Sequence, residues 1–161
     1  MTYSNQIIHT LAELANVTEA YLQKHRATSI YELSPQLSTY QGSDWKSYVR
    51  YDSECYTRNY VVRQEAFEIL VLCWQPGQGS PIHNHPHQGC LLKILDGSLT
   101  ENRYAQNQVL ESQLHRGDIS YIDDQMGFHR IHNNGKTPAI SLHIYAPGFF
   151  LPKIGSCLED F

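Results

Sequence analysis

The spacing of apolar positions changes once along the chain, near residue 50. Before that point Ile7, Ile8, Leu11, Leu14 and Ala15 recur at three- and four-residue steps, the signature of one apolar helix face. A second short helix is expected over Thr18 to His25, with Tyr21 and Leu22 turned inward. Ser29-Ile30-Tyr31-Glu32 reads as a capping box that starts a further helical turn before Pro35. Gly42 breaks the helical pattern, and Ser43 or Asp44 caps a last segment carrying Trp45, Tyr48 and Val49.

From about Tyr51 the texture is that of strands. Cys55 to Val62 alternates and is rich in aromatic and β-branched residues. Phe67 to Trp74 and Cys90 to Leu95 are nearly continuous apolar runs, and Asp96-Gly97 after the second reads as a hairpin turn. Further strands are expected over Ser98 to Tyr104, Val109 to Leu114, Ile119 to Ile122, Phe128 to His132 and Ala139 to Ala146. Asn107, Gly117-Asp118, Gly127 and Asn133-Asn134-Gly135 supply the turns between them. The expectation is an all-β sandwich or barrel with a short N-terminal helical segment. One domain is expected over 1–161, with helices to residue 50, the barrel over 51–146 and an unassigned tail over 147–161.

Composition adds mainly exclusions. The 161 residues are 41% apolar and 17% charged, ordinary values for a globular protein. A net charge of −4 with no Lys/Arg cluster gives no footprint for nucleic acid. No apolar run approaches the length of a membrane span. Met1 to Asn5 lacks the basic-then-apolar pattern of a secretory signal, so a cytoplasmic location is the expectation; a monomer is expected as well. Without such a signal, and with no CxxC spacing, Cys55, Cys73, Cys90 and Cys157 are expected as thiols. Cys73, inside an apolar run, reads as a small buried hydrophobe.

The candidate chemistry lies between Gly77 and Gly97. His83 and His85 stand two apart after a loop holding Pro76, Gly77, Gly79 and Pro81. In an extended segment such a pair points to one face, so both imidazoles can meet at one point inside a barrel. His129 is the candidate third ligand. Imidazole donors suit Fe, Zn, Cu and Ni better than Mg or Ca. By ligand count, zinc with three His and a water competes with iron. His87, His115 and His132 read as loop, turn and surface residues, His143 as a histidine outside the ligand set, and Trp74 as wall.

The frame Gly77-x5-His83-x-His85-x4-Cys90-x6-Gly97 resembles the first motif of the cupin superfamily, with Cys90 where most cupins have Glu. Gly117, His129 and Asn133 fit the looser second motif. Three neutral imidazoles with no carboxylate leave about three octahedral positions and the full positive charge of the ion for an anionic chelating substrate and O2.

The likeness becomes specific in Tyr56-Thr57-Arg58-Asn59, Leu72-Cys73-Trp74, Gly127-Phe128-His129-Arg130 and Ser141-Leu142-His143-Ile144-Tyr145. With these pieces the chain resembles the cysteine dioxygenases, in the thiol dioxygenase group of cupins, from about Trp45 to Pro147. The resemblance implies a jelly-roll-like cupin barrel and an Fe(II) cofactor held by His83, His85 and His129. It implies L-cysteine and O2 as substrates and cysteine sulfinic acid as product, a step of cysteine catabolism. Arg58, expected as a buried residue, would pair with the substrate carboxylate, with Tyr56 nearby. Cys90 and Tyr145 match the partners of a cysteine–tyrosine thioether, and Ser141, His143 and Tyr145 match a hydrogen-bonded relay. A dioxygenase of 3-mercaptopropionate is the near alternative, disfavoured by Arg58 where such relatives often carry Gln. A non-catalytic metal-binding cupin is the more distant one.

Overall fold

The computed structural model describes residues 6–25, 29–105 and 108–155. The expectations for Met1 to Asn5, for the turn at Asn107, and for Cys157 at the end of the tail lie outside those residues. The N-terminal part forms α1 (Leu11–His25), a 3-10 turn (Ile30–Leu33), α2 (Ser34–Thr39) and a second 3-10 turn (Asp44–Tyr48). Strands follow: β1 (Thr57–Arg63), β2 (Glu68–Trp74), β3 (Ile82–His83), β4 (Gly89–Asp96), β5 (Ser98–Ala105), β6 (Gln108–His115), β7 (Ile119–Ile122), β8 (Phe128–His132), β9 (Ala139–Ala146) and β10 (Ile154–Gly155).

Two of the helical expectations are corrected. The first helix and Thr18 to His25 are one element, because neither Gly nor Pro interrupts Asn16-Val17 and Thr18 Oγ1 bonds back to the Leu14 carbonyl at 2.9 Å. It starts at Leu11, not Ile7. Thr10 Oγ1 accepts from the Glu13 N–H, while Glu13 accepts from the Thr10 N–H, a capping box. Ile8, upstream of it, forms an isolated bridge with Tyr40.

The strands form two five-stranded sheets, ordered β1-β2-β9-β4-β7 and β10-β3-β8-β5-β6. Their double-layer arrangement is that of the cupin jelly roll. The strand period explains the apolar runs. In β2, Leu70, Leu72 and Trp74 face the interior between the sheets, while Ile69, Val71 and Cys73 face the N-terminal helices. A strand covered on both faces has no need of a polar alternate. Against that outer face lie Leu11, Leu14, Ile30, Leu33 and Leu37, all buried. Each fully buried side chain of this size contributes about 2 kcal/mol. Lys93 completes the docking: its buried ammonium donates to the carbonyls of Leu37, Ser38 and Tyr40 at 3.1, 2.9 and 2.7 Å.

The hairpin expected at Asp96-Gly97 is a corner. β4 pairs with β7 and β9, and β5 pairs with β6 and β8, so the chain changes sheets there. Gly97 has φ +70°, and a Cβ on it would lie 2.7 Å from the Pro138 carbonyl oxygen. Only glycine fits such a corner without strain. The tail, unassigned from sequence, supplies β10, which pairs with β3 through Ile154 opposite His83.

Candidate metal centre

β3 and β8 place two of the histidines directly opposite each other, His83 against His129. His85 follows two residues after His83, and its ring comes to 4.7 Å from that of His83 and 4.3 Å from that of His129. One ring nitrogen from each of the three lies within 4.8 Å of the others. His85 and His129 are buried and His83 is half-buried, so the group opens to solvent on the His83 side. His87 is exposed and stands outside the cluster.

Hydrogen bonds orient two of the rings. His83 Nδ1 donates to the Pro81 carbonyl at 3.0 Å, and His129 Nδ1 to Glu101 Oε1 at 2.8 Å, which leaves Nε2 of each for a ligand. Glu101 is itself held by Ser120 Oγ and by Arg103 Nε at 3.2 Å. Sequence reasoning missed Glu101. Its signal was a carboxylate two residues from inward-facing Leu99 on β5, and so on the same face.

The donor set fits a transition-metal ion. His85 Nε2 and His129 Nε2 are 2.9 Å apart, the separation of two nitrogens each about 2.1 Å from one ion at roughly a right angle. Burial lowers the pKa of all three rings; the Arg58 charge lowers His83 further, and the neighbouring histidines do so for His85 and His129. Neutral imidazoles are the ligand-competent form. His85 Nδ1 is buried without a partner.

The other predicted residues gather beside this cluster. Cys90 on β4 lies directly opposite Tyr145 on β9. Ser141, His143 and Tyr145 share the inward face of β9: Ser141 Oγ is 2.8 Å from His143 Nε2, and Tyr145 Oη is 3.3 Å from His143 Nδ1. Burial pushes the Cys90 thiol up to about 12, raises the Tyr145 hydroxyl, and, aided by the Arg58 charge, brings His143 down to about 3. At neutral pH this face therefore carries a thiol, a phenol and a neutral imidazole.

Two expectations are corrected here. Arg58 is exposed, with its guanidinium 5.4 Å from the centre of the Tyr145 ring and no carboxylate partner among the described residues. An edge strand with an open outer side explains the exposure, since β1 pairs only with β2. Trp74 is more than wall. Its Nε1–H donates to Ser141 Oγ at 2.9 Å, and Tyr56 stacks on its ring at 4.3 Å.

What the arrangement can do is hold a cation in a largely buried corner, offer at its rim a guanidinium that hydrogen-bonds Tyr145 and has no carboxylate partner among the described residues, and present a phenol to whatever binds between them. Among the described residues no helix is long and apolar enough to cross a membrane.

Comparison with known proteins agrees with this geometry. The family model described as cysteine dioxygenase type I matches residues 4–154. Cysteine dioxygenase type 1 of Homo sapiens is 34% identical over 152 residues, covering 87% of this chain and 76% of that protein. The Danio rerio protein of the same name is 34% identical over 153 residues with the same coverage. Among solved structures, an uncharacterized protein with a double-stranded β-helix domain from Klebsiella pneumoniae superposes with a TM-score of 0.61 at 24% identity. That match covers 68% of this chain and 92% of that one. Oxalate decarboxylase of Bacillus subtilis superposes with a TM-score of 0.56 at 16% identity, over 64% of this chain and 28% of that one. These two likenesses speak for the fold alone.

Proposed function

The chain belongs to the cysteine dioxygenase type I family and is a thiol dioxygenase, and from that premise we propose how its residues divide the work. His83, His85 and His129 hold Fe(II). Bound there, the ion supplies coordination sites where a thiolate and O2 meet, and lowers the thiol pKa. The reaction adds both atoms of O2 to the sulfur of L-cysteine and gives cysteine sulfinic acid, with no other reductant needed.

Arg58 receives the substrate carboxylate. Its planar fork matches two oxygens at once, and its guanidinium has no competing carboxylate among the described residues. Tyr56, half-buried beside it, lines the approach. The Tyr145 hydroxyl faces the bound substrate pair, donates a hydrogen bond there, and with Cys90 excludes water from the inner wall. Holding the amino acid at its carboxylate end and its sulfur end fixes the orientation of the reacting atom, an effect worth several kcal/mol.

The observation that carries this reading is the convergence of three imidazole donors within 4.8 Å with Cys90 where a carboxylate ligand would stand in most cupins. The test is oxygen uptake by the Fe(II)-loaded protein with L-cysteine and 3-mercaptopropionate offered separately, the products identified by mass. Uptake with cysteine and a product two oxygen atoms heavier is expected. Preference for 3-mercaptopropionate would remove Arg58 from the carboxylate role, and uptake with neither would remove the iron assignment.

A further inference from the structure

An indole N–H donates and never accepts, so the bond from Trp74 Nε1 to Ser141 Oγ has only one direction. Ser141 Oγ has His143 Nε2 as its other side-chain partner, at 2.8 Å. Having accepted from Trp74, the hydroxyl still carries its own proton, and in a buried site that proton needs an acceptor. His143 Nε2 is the acceptor at hand. The neutral imidazole then bears its single proton on Nδ1, which faces Tyr145 Oη at 3.3 Å and Cys90 Sγ at 3.8 Å. Nδ1–H donates to the phenol oxygen, the stronger acceptor. That oxygen, which also accepts from the Arg58 guanidinium and has the weakly accepting Cys90 sulfur beside it, is left with its own hydrogen to give.

We propose that Trp74 is a positioning residue whose indole N–H sets the direction of the Ser141–His143–Tyr145 line, so that the Tyr145 hydroxyl donates into the pocket beside the three histidines. Reversed, the line would run the other way. His143 would donate from Nε2 to Ser141 and accept the phenol proton at Nδ1, and Tyr145 would have nothing to offer a substrate. Trp74 is held at its backbone and at its ring. Asn133 Nδ2 donates to the Trp74 carbonyl at 3.0 Å, and Tyr56 stacks on the ring with planes 12° apart. Tyr56 therefore reaches Tyr145 through Trp74, Ser141 and His143, in addition to lining the approach.

The assignment rests on the thiol dioxygenase reading for its kinetic consequence alone; the direction of the line stands or falls by itself. The experiment is nitrogen NMR of histidine-labelled, zinc-loaded full chain, which reports the tautomer of His143, together with kinetics of the Fe(II)-loaded enzyme. The wild type is expected to hold the proton on Nδ1. Trp74→Phe keeps the stacked ring and removes the donor. It is expected to populate both tautomers and to lower kcat about tenfold while KM for cysteine stays within about twofold. A wild-type proton on Nε2 overturns the proposal, and so does a Trp74→Phe variant with either the tautomer or kcat unchanged. Should Trp74→Phe not fold, the wild-type tautomer still decides, and Ser141→Ala, which cuts the line one atom later, must release His143 in the same way. Wild-type enzyme with the Nδ1 tautomer but no oxygen uptake would count against the dioxygenase reading, and against Tyr145 as a donor to its substrate.

Discussion

Cys90 and Tyr145 are direct cross-strand partners on β4 and β9, and both side chains face the same interior between the sheets. Opposite residues of an antiparallel pair bring their side chains to about 5 Å at Cβ. The sulfur and the phenol ring are neighbours before any chemistry occurs. A thioether between them removes one hydrogen from the thiol and one from the ring, with O2 as the oxidant that the enzyme already uses.

The expected outcome is a fraction of the purified, iron-loaded protein lighter by two hydrogens and faster on a denaturing gel, growing as turnovers accumulate with cysteine and O2. Cys90→Ser should give a single band throughout. Equal mobility of the two proteins after prolonged turnover would sink the crosslink.

The thiol of Cys90 in the uncrosslinked protein should be inert. Burial raises its pKa to about 12, so at pH 8 the reactive thiolate is nearly absent, and the side chain is only 1% exposed. Cys55, by contrast, is exposed. Alkylation of the native protein followed by peptide mass mapping should label Cys55 and spare Cys90 and Cys73. The two buried positions should react only after unfolding. Labelling of Cys90 at the rate of Cys55 would mean that the inner wall opens to solvent.

Much of this arrangement was legible in the sequence because strand periodicity is local. The two-residue spacings of His83 and His85, and of Ser141, His143 and Tyr145, put each set on one face as soon as the segment is extended. The eight longer strands announced themselves through β-branched and aromatic runs between turn residues. What was not legible depended on partners far away in the chain. β3 and β10 have two residues each and exist because they pair with each other and with β8. Asp96-Gly97 has the composition of a hairpin, and only the competing partners of β4 and β5 turn it into a corner. Glu101 belongs to no motif, and the motif that holds Trp74 says nothing of its hydrogen bond; their meaning lies in what they touch.

Glu101 should prove to be a determinant of metal affinity. Its carboxylate accepts from His129 Nδ1 at 2.8 Å and so fixes that ring with Nε2 toward the centre, while making the ring a better donor. Glu101→Gln keeps the shape and loses the charge. Chelator competition should show metal binding weakened by about 10- to 100-fold. Glu101→Ala should in addition lower the melting temperature, because it leaves the Arg103 guanidinium without its carboxylate. Unchanged metal affinity in Glu101→Gln would reduce Glu101 to a structural anchor for Arg103 and Ser120.

Arg58 should separate substrate binding from stability. It sits on the edge strand β1, exposed, touching the Tyr145 ring but paired with no carboxylate among the described residues. In the folded protein the guanidinium has only the Tyr145 hydroxyl and ring as partners and forms no ion pair, whereas a bound amino acid gains a charge-assisted, two-oxygen contact of about 1.5–3 kcal/mol. Arg58→Gln should raise KM for cysteine by about 10- to 100-fold. Its melting temperature should stay within about 2 °C of wild type, as for other exposed substitutions. The same variant should lose much less with a thiol that lacks the carboxylate, such as cysteamine, because that substrate never used the guanidinium. Equal losses with both thiols, or an unaltered KM for cysteine, would assign Arg58 to the support of Tyr145 and leave the carboxylate to another group.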